Sequence, residues 1–393
     1  MSALFQIRRS PTPYGYAPAH VVRDYTHHIE LRDARVLVFN LLTGLGWKGP
    51  RRELVAGATR VEQGRGSDPA ARILDALEAQ YRALAHPVSF QLIPTYGCNF
   101  SCAYCYEGSL TSVQKVWDRD EVRAVADAVV RLMRGSPTPI SDAMFTVLGG
   151  EVIREGVFEP VEWLIAALRG IGARRFEAIT NGYELAAHVP AMKRMGIGQV
   201  QITVDGPQRI HDKRRPVRGE HRASSFERIL DGVAACLAAK MAVNLRVNID
   251  QRNIPHLGEL ADTFAAQGWF DDPRFLGYLA PLERDHAGKM HFVPEDEMAR
   301  MLVDVARESP AVLRLRWDLH GLDYVYALRD GRPPSMKMRY CGATRSDYML
   351  DARGAVYSCW FGAGREAFQI ADIQAIASGA DVPPEGARKL QRW

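Results

Sequence analysis

Three cysteines lie close together, at Cys98, Cys102 and Cys105, inside the run PTYGCNFSCAYCYE from Pro94 to Glu107. Gly97 and Asn99 let such a loop curl, so that three thiolates reach one metal centre. Iron-sulfur clusters usually take four cysteine ligands, so a triad without a close fourth leaves one iron open to a non-protein ligand. An amino acid moiety, with its amine and carboxylate, can chelate such an iron. Two other readings stand beside this one: a zinc knuckle, for which His86 is the nearest fourth donor, and three unrelated buried thiols.

The elements that must position this loop follow it in the chain. From Val88 onward, strand-like runs alternate with helical patterns, the mark of parallel β/α units. Strands are expected at 89–94, 143–148, 175–179, 199–204, 243–249 and 274–279. Between them, Asp118 with Glu121 and Ser224 with Glu227 have the spacing of capping boxes. Right-handed crossovers would wind the strands into an α/β fold, a partial (β/α)6 parallel barrel whose strand C-terminal ends converge on one mouth.

Polar groups collect at those ends. The second strand runs into Gly149-Gly150-Glu151, where glycines admit a close backbone approach and a carboxylate can receive an ammonium. The third ends at Thr180-Asn181, and the fourth at Thr203-Val204-Asp205, offering hydroxyl, amide and carboxylate groups suited to ribose, or ordinary turn chemistry. The fifth alternates Asn244, Arg246, Asn248 and Asp250 with apolar residues, so one face is polar. Asn248 is the candidate adenosine contact there, and Arg246 reads equally as a structural arginine. Cys236 falls in an apolar helical stretch and reads as core.

Length and composition bound the rest. The chain has 393 residues, 47% of them hydrophobic, enough for one large domain and an appendage. A formal net charge of +4 asks for no nucleic acid. No apolar run of membrane-spanning length and no signal peptide is present, so no membrane partner and a cytoplasmic location are expected. Six cysteines in so long a chain suit metal ligation in a reducing compartment better than a disulfide framework.

The run from Pro94 to Glu107 resembles the signature of radical S-adenosylmethionine (SAM) enzymes, in particular the branch with a SPASM or twitch C-terminal extension, over about residues 88 to 372. The resemblance implies that Cys98, Cys102 and Cys105 ligate a 4Fe-4S cluster. That cluster would cleave SAM to a 5′-deoxyadenosyl radical, which abstracts hydrogen from the substrate. Tyr104 matches the aromatic position beside the adenine. Gly149, Gly150 and Glu151 match the motif that holds the methionine amino group. Arg209 to Pro216 resembles the HDxxR stretch whose arginine pairs with the SAM carboxylate; by spacing this is Arg215, whose fork suits a carboxylate as a lysine would not.

The same resemblance divides the chain into an N-terminal accessory segment at 1–86, a barrel core at 87–284, a helical bridge at 285–334 and a short SPASM/twitch-like module at 335–393. The accessory segment holds an apolar stretch from Val36 to Leu45 and a helical pattern from Asp68 to Leu84. It is a candidate peptide-binding element, with Val36 to Phe39 as an edge for strand addition. In the last module, Cys341 and Cys359 match the opening cysteines of an auxiliary iron-sulfur cluster, but no further cysteine follows. An auxiliary cluster completed by another ligand, a vestigial module, a truncated chain and a simple packed hairpin all remain open.

The implied activity is modification of a ribosomally made precursor peptide by crosslink, epimerisation or thioether, with a flavodoxin or ferredoxin as reductant. A dehydrogenase or mutase acting on an aminosugar or nucleoside is the alternative enzyme. A non-catalytic iron-sulfur or zinc protein is the alternative of another class. No catalytic acid or base is identifiable among the many candidates at the mouth.

Overall fold

The computed structural model describes residues 26–30, 34–40, 45–56, 58, 88–134, 136, 138–219, 224–282, 293–319 and 347–382. The helical pattern at 68–84, His86 and Cys341 lie outside them. The chain divides into two compact units, one of Met1–Ala85 with His320–Tyr340, the other of His86–Leu319 with Cys341–Trp393.

The first unit holds an antiparallel sheet of β1 (Thr26–Glu30), β2 (Arg35–Asn40) and β3 (Leu45–Pro50), in that order. Val36 and Val38 are fully buried, with Trp47, Leu54 and Ala58 packed on them. The expectation that Val36 to Phe39 forms an edge is corrected here. These residues lie in the central strand, hydrogen-bonded to β1 on one side and β3 on the other. No backbone group of β2 is left over for a further strand.

The second unit is built on β4 (Ser89–Ile93), β5 (Met144–Val147), β6 (Arg175–Thr180), β7 (Ile197–Thr203), β8 (Ala242–Ile249) and β9 (Phe275–Pro281). Each is parallel to the next, in chain order. The helices between them are α1 (Arg119–Leu132), α2 (Phe158–Gly170), α3 (Leu185–Met195), α4 (Gln208–Arg214), α5 (Phe226–Ala238) and α6 (Leu257–Ala266). All six expected strands are found. Their apolar runs are legible because a parallel sheet under helices buries at least one face along its whole length. On β8, Val243, Leu245, Val247 and Ile249 are fully buried while Asn244 and Arg246 are half-buried, so the polar face is the inner one.

Among the described residues the sheet is open and has ten strands. After β9 come α7 (Glu295–Glu308) and β10 (Arg316–Trp317), which lies parallel to β9. At the other side β11 (Asp347–Asp351) pairs parallel with β4, followed by β12 (Ala355–Tyr357) and β13 (Ala371–Asp372). Helix α8 (Ile373–Ala377) then packs against α1. Strands β11, β12 and β13 thus extend the barrel sheet itself. Asp351 joins the two parts: it accepts 2.7 Å from the Tyr96 hydroxyl and takes the amides of Arg353 and Ala355 at 2.9 and 3.0 Å.

Of the two capping boxes, the first forms. Asp118 accepts from the amides of Asp120 and Glu121 at 2.9 Å, and Glu121 reaches back to the Asp118 amide at 3.0 Å. The second does not. The N-cap position of helix α5 is Ser225, not Ser224, and the Ser225 hydroxyl donates to Asp212 and accepts from no amide of its own helix.

Candidate functional site

The cysteine loop leaves the C-terminal end of β4 and is pinned by the segment that follows α4. Ser101 N donates to Pro216 O at 2.9 Å and Arg218 N to Asn99 O at 2.7 Å. The Arg218 guanidinium donates to Phe100 O at 2.7 Å and to Thr111 Oγ1 at 2.6 Å. These bonds satisfy backbone groups that no helix or strand accounts for. Cys98, Cys102 and Cys105 are half-buried free thiols. Burial pushes Cys98 up to about 12 and Cys105 up to about 11, and raises Cys102 as well. Among the described residues no three His, Cys, Asp or Glu side chains converge tightly enough to hold a single metal ion.

The Gly149-Gly150-Glu151 turn sits directly on that loop. Gly150 N donates to Thr95 O at 3.1 Å and Glu151 N to Gly97 O at 3.0 Å. A Cβ on Gly149, whose φ is 141°, would run into Thr95 O, and one on Gly150 into Tyr96 O. The glycines therefore admit the close approach of the cysteine loop. Glu151 is buried and accepts from Ile153 N and Thr180 Oγ1 at 2.7 Å each and from Asn181 N at 2.6 Å. Burial pushes its carboxyl up to about 7 against those bonds. Asn181 Nδ2 donates to Asn99 Oδ1 at 2.7 Å and lies 4.0 Å from Cys98 Sγ, so Asn181 meets the loop itself.

Tyr104 is the meeting point of the other strand ends. Its hydroxyl donates to Asp205 and accepts from Arg215 at 2.7 Å and from Asn248 Nδ2 at 3.3 Å. Asp205 is fully buried, and its carboxylate also takes Arg214 Nε and Asn248 N, both at 3.3 Å. Asp205, expected at the ribose, thus has its carboxylate hydrogen-bonded to three protein donors, Tyr104, Arg214 and Asn248. Thr203 is nearly buried and pairs in register with Arg246. Four residues of this network went unassigned in the sequence. Arg214 bridges Asp205 to Asp250, the latter at 2.9 Å. Asn253 Nδ2 holds Asp205 O and Asn248 O at 2.7 and 2.8 Å. His211 Nδ1 accepts from Asp205 N at 3.2 Å. Burial and the two neighbouring arginines hold His211 well below its usual range, so it is neutral. The run His211 to Arg215 carried a signal for these roles; Asn253, five residues past the strand residue Asn248, carried none.

Arg215 tests whether the residues fit a nucleoside amino acid beside a cluster. It is buried, one Nη is taken by Tyr104, and its Nε has no acceptor among the described residues. A buried guanidinium with an unused donor edge beside three thiols accepts a carboxylate well. The side chains fit: Cys98, Cys102 and Cys105 would hold the iron, Arg215 would take the carboxylate, and Glu151 stands beside them. Cys359 is half-buried, and its neighbour Trp360 stands edge-on to Tyr106 with ring centroids 5.8 Å apart.

Glu107, buried next to the loop, accepts a long 3.4 Å bond from Tyr106. Burial pushes its carboxyl up from 4.5 to about 8, the Tyr106 bond opposing and Glu151 adding. Between those values the folded chain holds a proton that the unfolded chain has released. The stability from this group is therefore complete below about pH 4.5 and lost as pH rises through 8. Glu107→Gln is expected to match the parent near pH 4.5 and to exceed it by on the order of 3 kcal/mol at pH 9 in urea unfolding of cluster-free protein. Parallel stability curves for the two proteins across that range would contradict the burial effect.

Comparison with known proteins agrees with this geometry. A GTP 3′,8-cyclase of Vibrio vulnificus is 25% identical over 281 residues, covering 67% of this chain and 76% of the cyclase. Two solved structures share the fold. One is anSMEcpe with bound AdoMet, 17% identical, TM-score 0.57, spanning 78% of this chain and 82% of that one. The other is SuiB of Streptococcus suis bound to the precursor peptide SuiA, 12% identical, TM-score 0.54, spanning 90% and 87%. Residues 92–264 match the family model of the Radical SAM superfamily, whose members use a 4Fe-4S cluster and SAM; the matched segment holds the whole site from Cys98 to Asn253.

Proposed function

We propose that the protein is a radical SAM enzyme that modifies a ribosomally made peptide. When bound and reduced, the cluster supplies the electron that cleaves SAM to methionine and a hydrogen-abstracting 5′-deoxyadenosyl radical. The protein's share is placement: Cys98, Cys102 and Cys105 hold the iron, Arg215 receives the SAM carboxylate, and Tyr104, fixed by Asp205 and Asn248, flanks the nucleoside. Asn181, Thr203 and Asn248 line the mouth at which SAM would lie, and the sheet behind them excludes water.

The observation that carries the peptide reading is the first unit. Among the described residues, its outer strands β1 and β3 each pair on one side only, leaving a free edge on the other. An extended peptide can add to such an edge. The likeness to a peptide-bound enzyme over 90% of this chain supports the same reading. The second reading is a nucleotide substrate, favoured by the cyclase relatives. Cys341 and Cys359 remain candidate ligands of an auxiliary cluster, counted by iron and sulfide with and without them.

Anaerobically reconstituted protein with SAM and reductant separates the two readings. A short peptide encoded beside the gene should raise 5′-deoxyadenosine formation and emerge with an altered mass. Stimulation by GTP, with GTP consumed and every peptide returned unchanged, would reverse the assignment.

A further inference from the structure

Arg246 lies on the inner face of β8, in register between Thr203 of β7 and Tyr278 of β9. Its Nε donates to Asn248 Oδ1 at 2.7 Å, and its guanidinium carbon stands 6.0 Å from the Tyr278 ring centroid. The Tyr278 hydroxyl is turned to Gln201, at 2.8 Å. Among the described residues no carboxylate pairs with Arg246, whereas Arg214, a few ångströms along the same network, is paired with both Asp205 and Asp250. Two acidic side chains lie in the neighbourhood of Tyr278, Glu177 and Asp318. Glu177 has its oxygens taken by Thr146 at 2.5 Å and Gln199 at 3.0 Å, and Asp318 forms no ion pair with Arg246.

A half-buried cation lacking a counter-charge is poorly solvated, and an anion entering the barrel relieves that cost. Its charge environment limits which anion. On the inner face of β7 to β9, Arg246 is the one charged side chain; Gln201, Thr203, Asn244, Asn248 and Tyr278 are neutral. The next cation along the sheet, Arg316 on β10, is exposed. A triphosphate would bring several negative charges to a single guanidinium, with Glu177 nearby. One carboxylate matches one fork in both charge and shape.

We propose that Arg246 is a specificity-determining residue that receives a substrate carboxylate, the side chain of an Asp or Glu in the peptide. The proposal rests on the peptide reading above and adds the chemical class of residue presented to the site. Full-length reconstituted protein is offered a library of displayed peptides with ten randomised positions. The parent protein is expected to enrich Asp or Glu at one position by about tenfold, equivalent to about 1.4 kcal/mol. Arg246→Gln should lose that preference, and Arg246→Lys should keep part of it, since an ammonium lacks the planar fork. Equal acidic enrichment by Arg246→Gln overturns the role, as does retention of peptides by the parent without acidic preference, which leaves the peptide reading standing. If Arg246→Gln does not fold, an undiminished preference in Arg246→Lys overturns it. Retention of no peptide together with GTP-dependent 5′-deoxyadenosine formation overturns both readings.

Discussion

Changing Cys98, Cys102 and Cys105 together to alanine is expected to leave reconstituted protein without iron or sulfide and to lower 5′-deoxyadenosine formation by at least about 100-fold. Outer partners of a metal centre alone are worth about 10- to 100-fold, and these residues are proposed as its direct ligands. The loop should survive the change. Its backbone is held by Pro216 and Arg218, which the substitutions leave in place. Circular dichroism should therefore match the parent while iron content falls to background. Full iron content, or SAM cleavage at parental rate, would remove the basis of the assignment.

Arg215→Met is expected to weaken SAM binding by roughly 30- to 150-fold, measured by equilibrium dialysis against cluster-loaded protein. Hydrogen bonds to a charged group contribute about 2–3 kcal/mol, and a guanidinium–carboxylate fork sits at the upper end of that range. Arg215→Lys should recover little, because a point charge cannot match the planar geometry. A purely structural role is separable. Arg215 also donates to the Tyr104 hydroxyl at 2.7 Å, and Tyr104→Phe removes that bond alone. If Tyr104→Phe weakens SAM as much as Arg215→Met, then Arg215 acts through Tyr104, and the carboxylate contact is not the source of affinity.

The β/α alternation and the cysteine triad are both legible in the sequence. Strands buried under helices are written as apolar runs, and three thiols at fixed spacing are a local signal. Long-range pairing was not legible. Nothing in Asp347–Asp351 announces that it lies beside β4, since the partners are more than 250 residues apart and a strand's own pattern does not name its neighbour. The same blindness made β2 look like an edge, because Val36 and Val38 read alike whether one partner strand is present or two. Asp205 was singled out correctly as a strand-end carboxylate, but its donors, Tyr104, Arg214 and Asn248, come from three different elements. Only their convergence shows which protein groups hold the acid in place. Gly149 and Gly150 carried their signal, close approach, and withheld the identity of the approaching group.

The placement of β11 beside β4 has a consequence for how the protein comes into being. During synthesis β4 emerges early, yet the strand that covers its outer side is translated only after β9 and α7. Until then β4 offers bare amides and carbonyls at one flank, and Tyr96, two residues before Cys98, lacks the Asp351 carboxylate its hydroxyl bonds. The nascent barrel is thus exposed to chance strand pairing through most of its translation. Metal loading into a fully braced loop has to wait until the ribosome has passed residue 351.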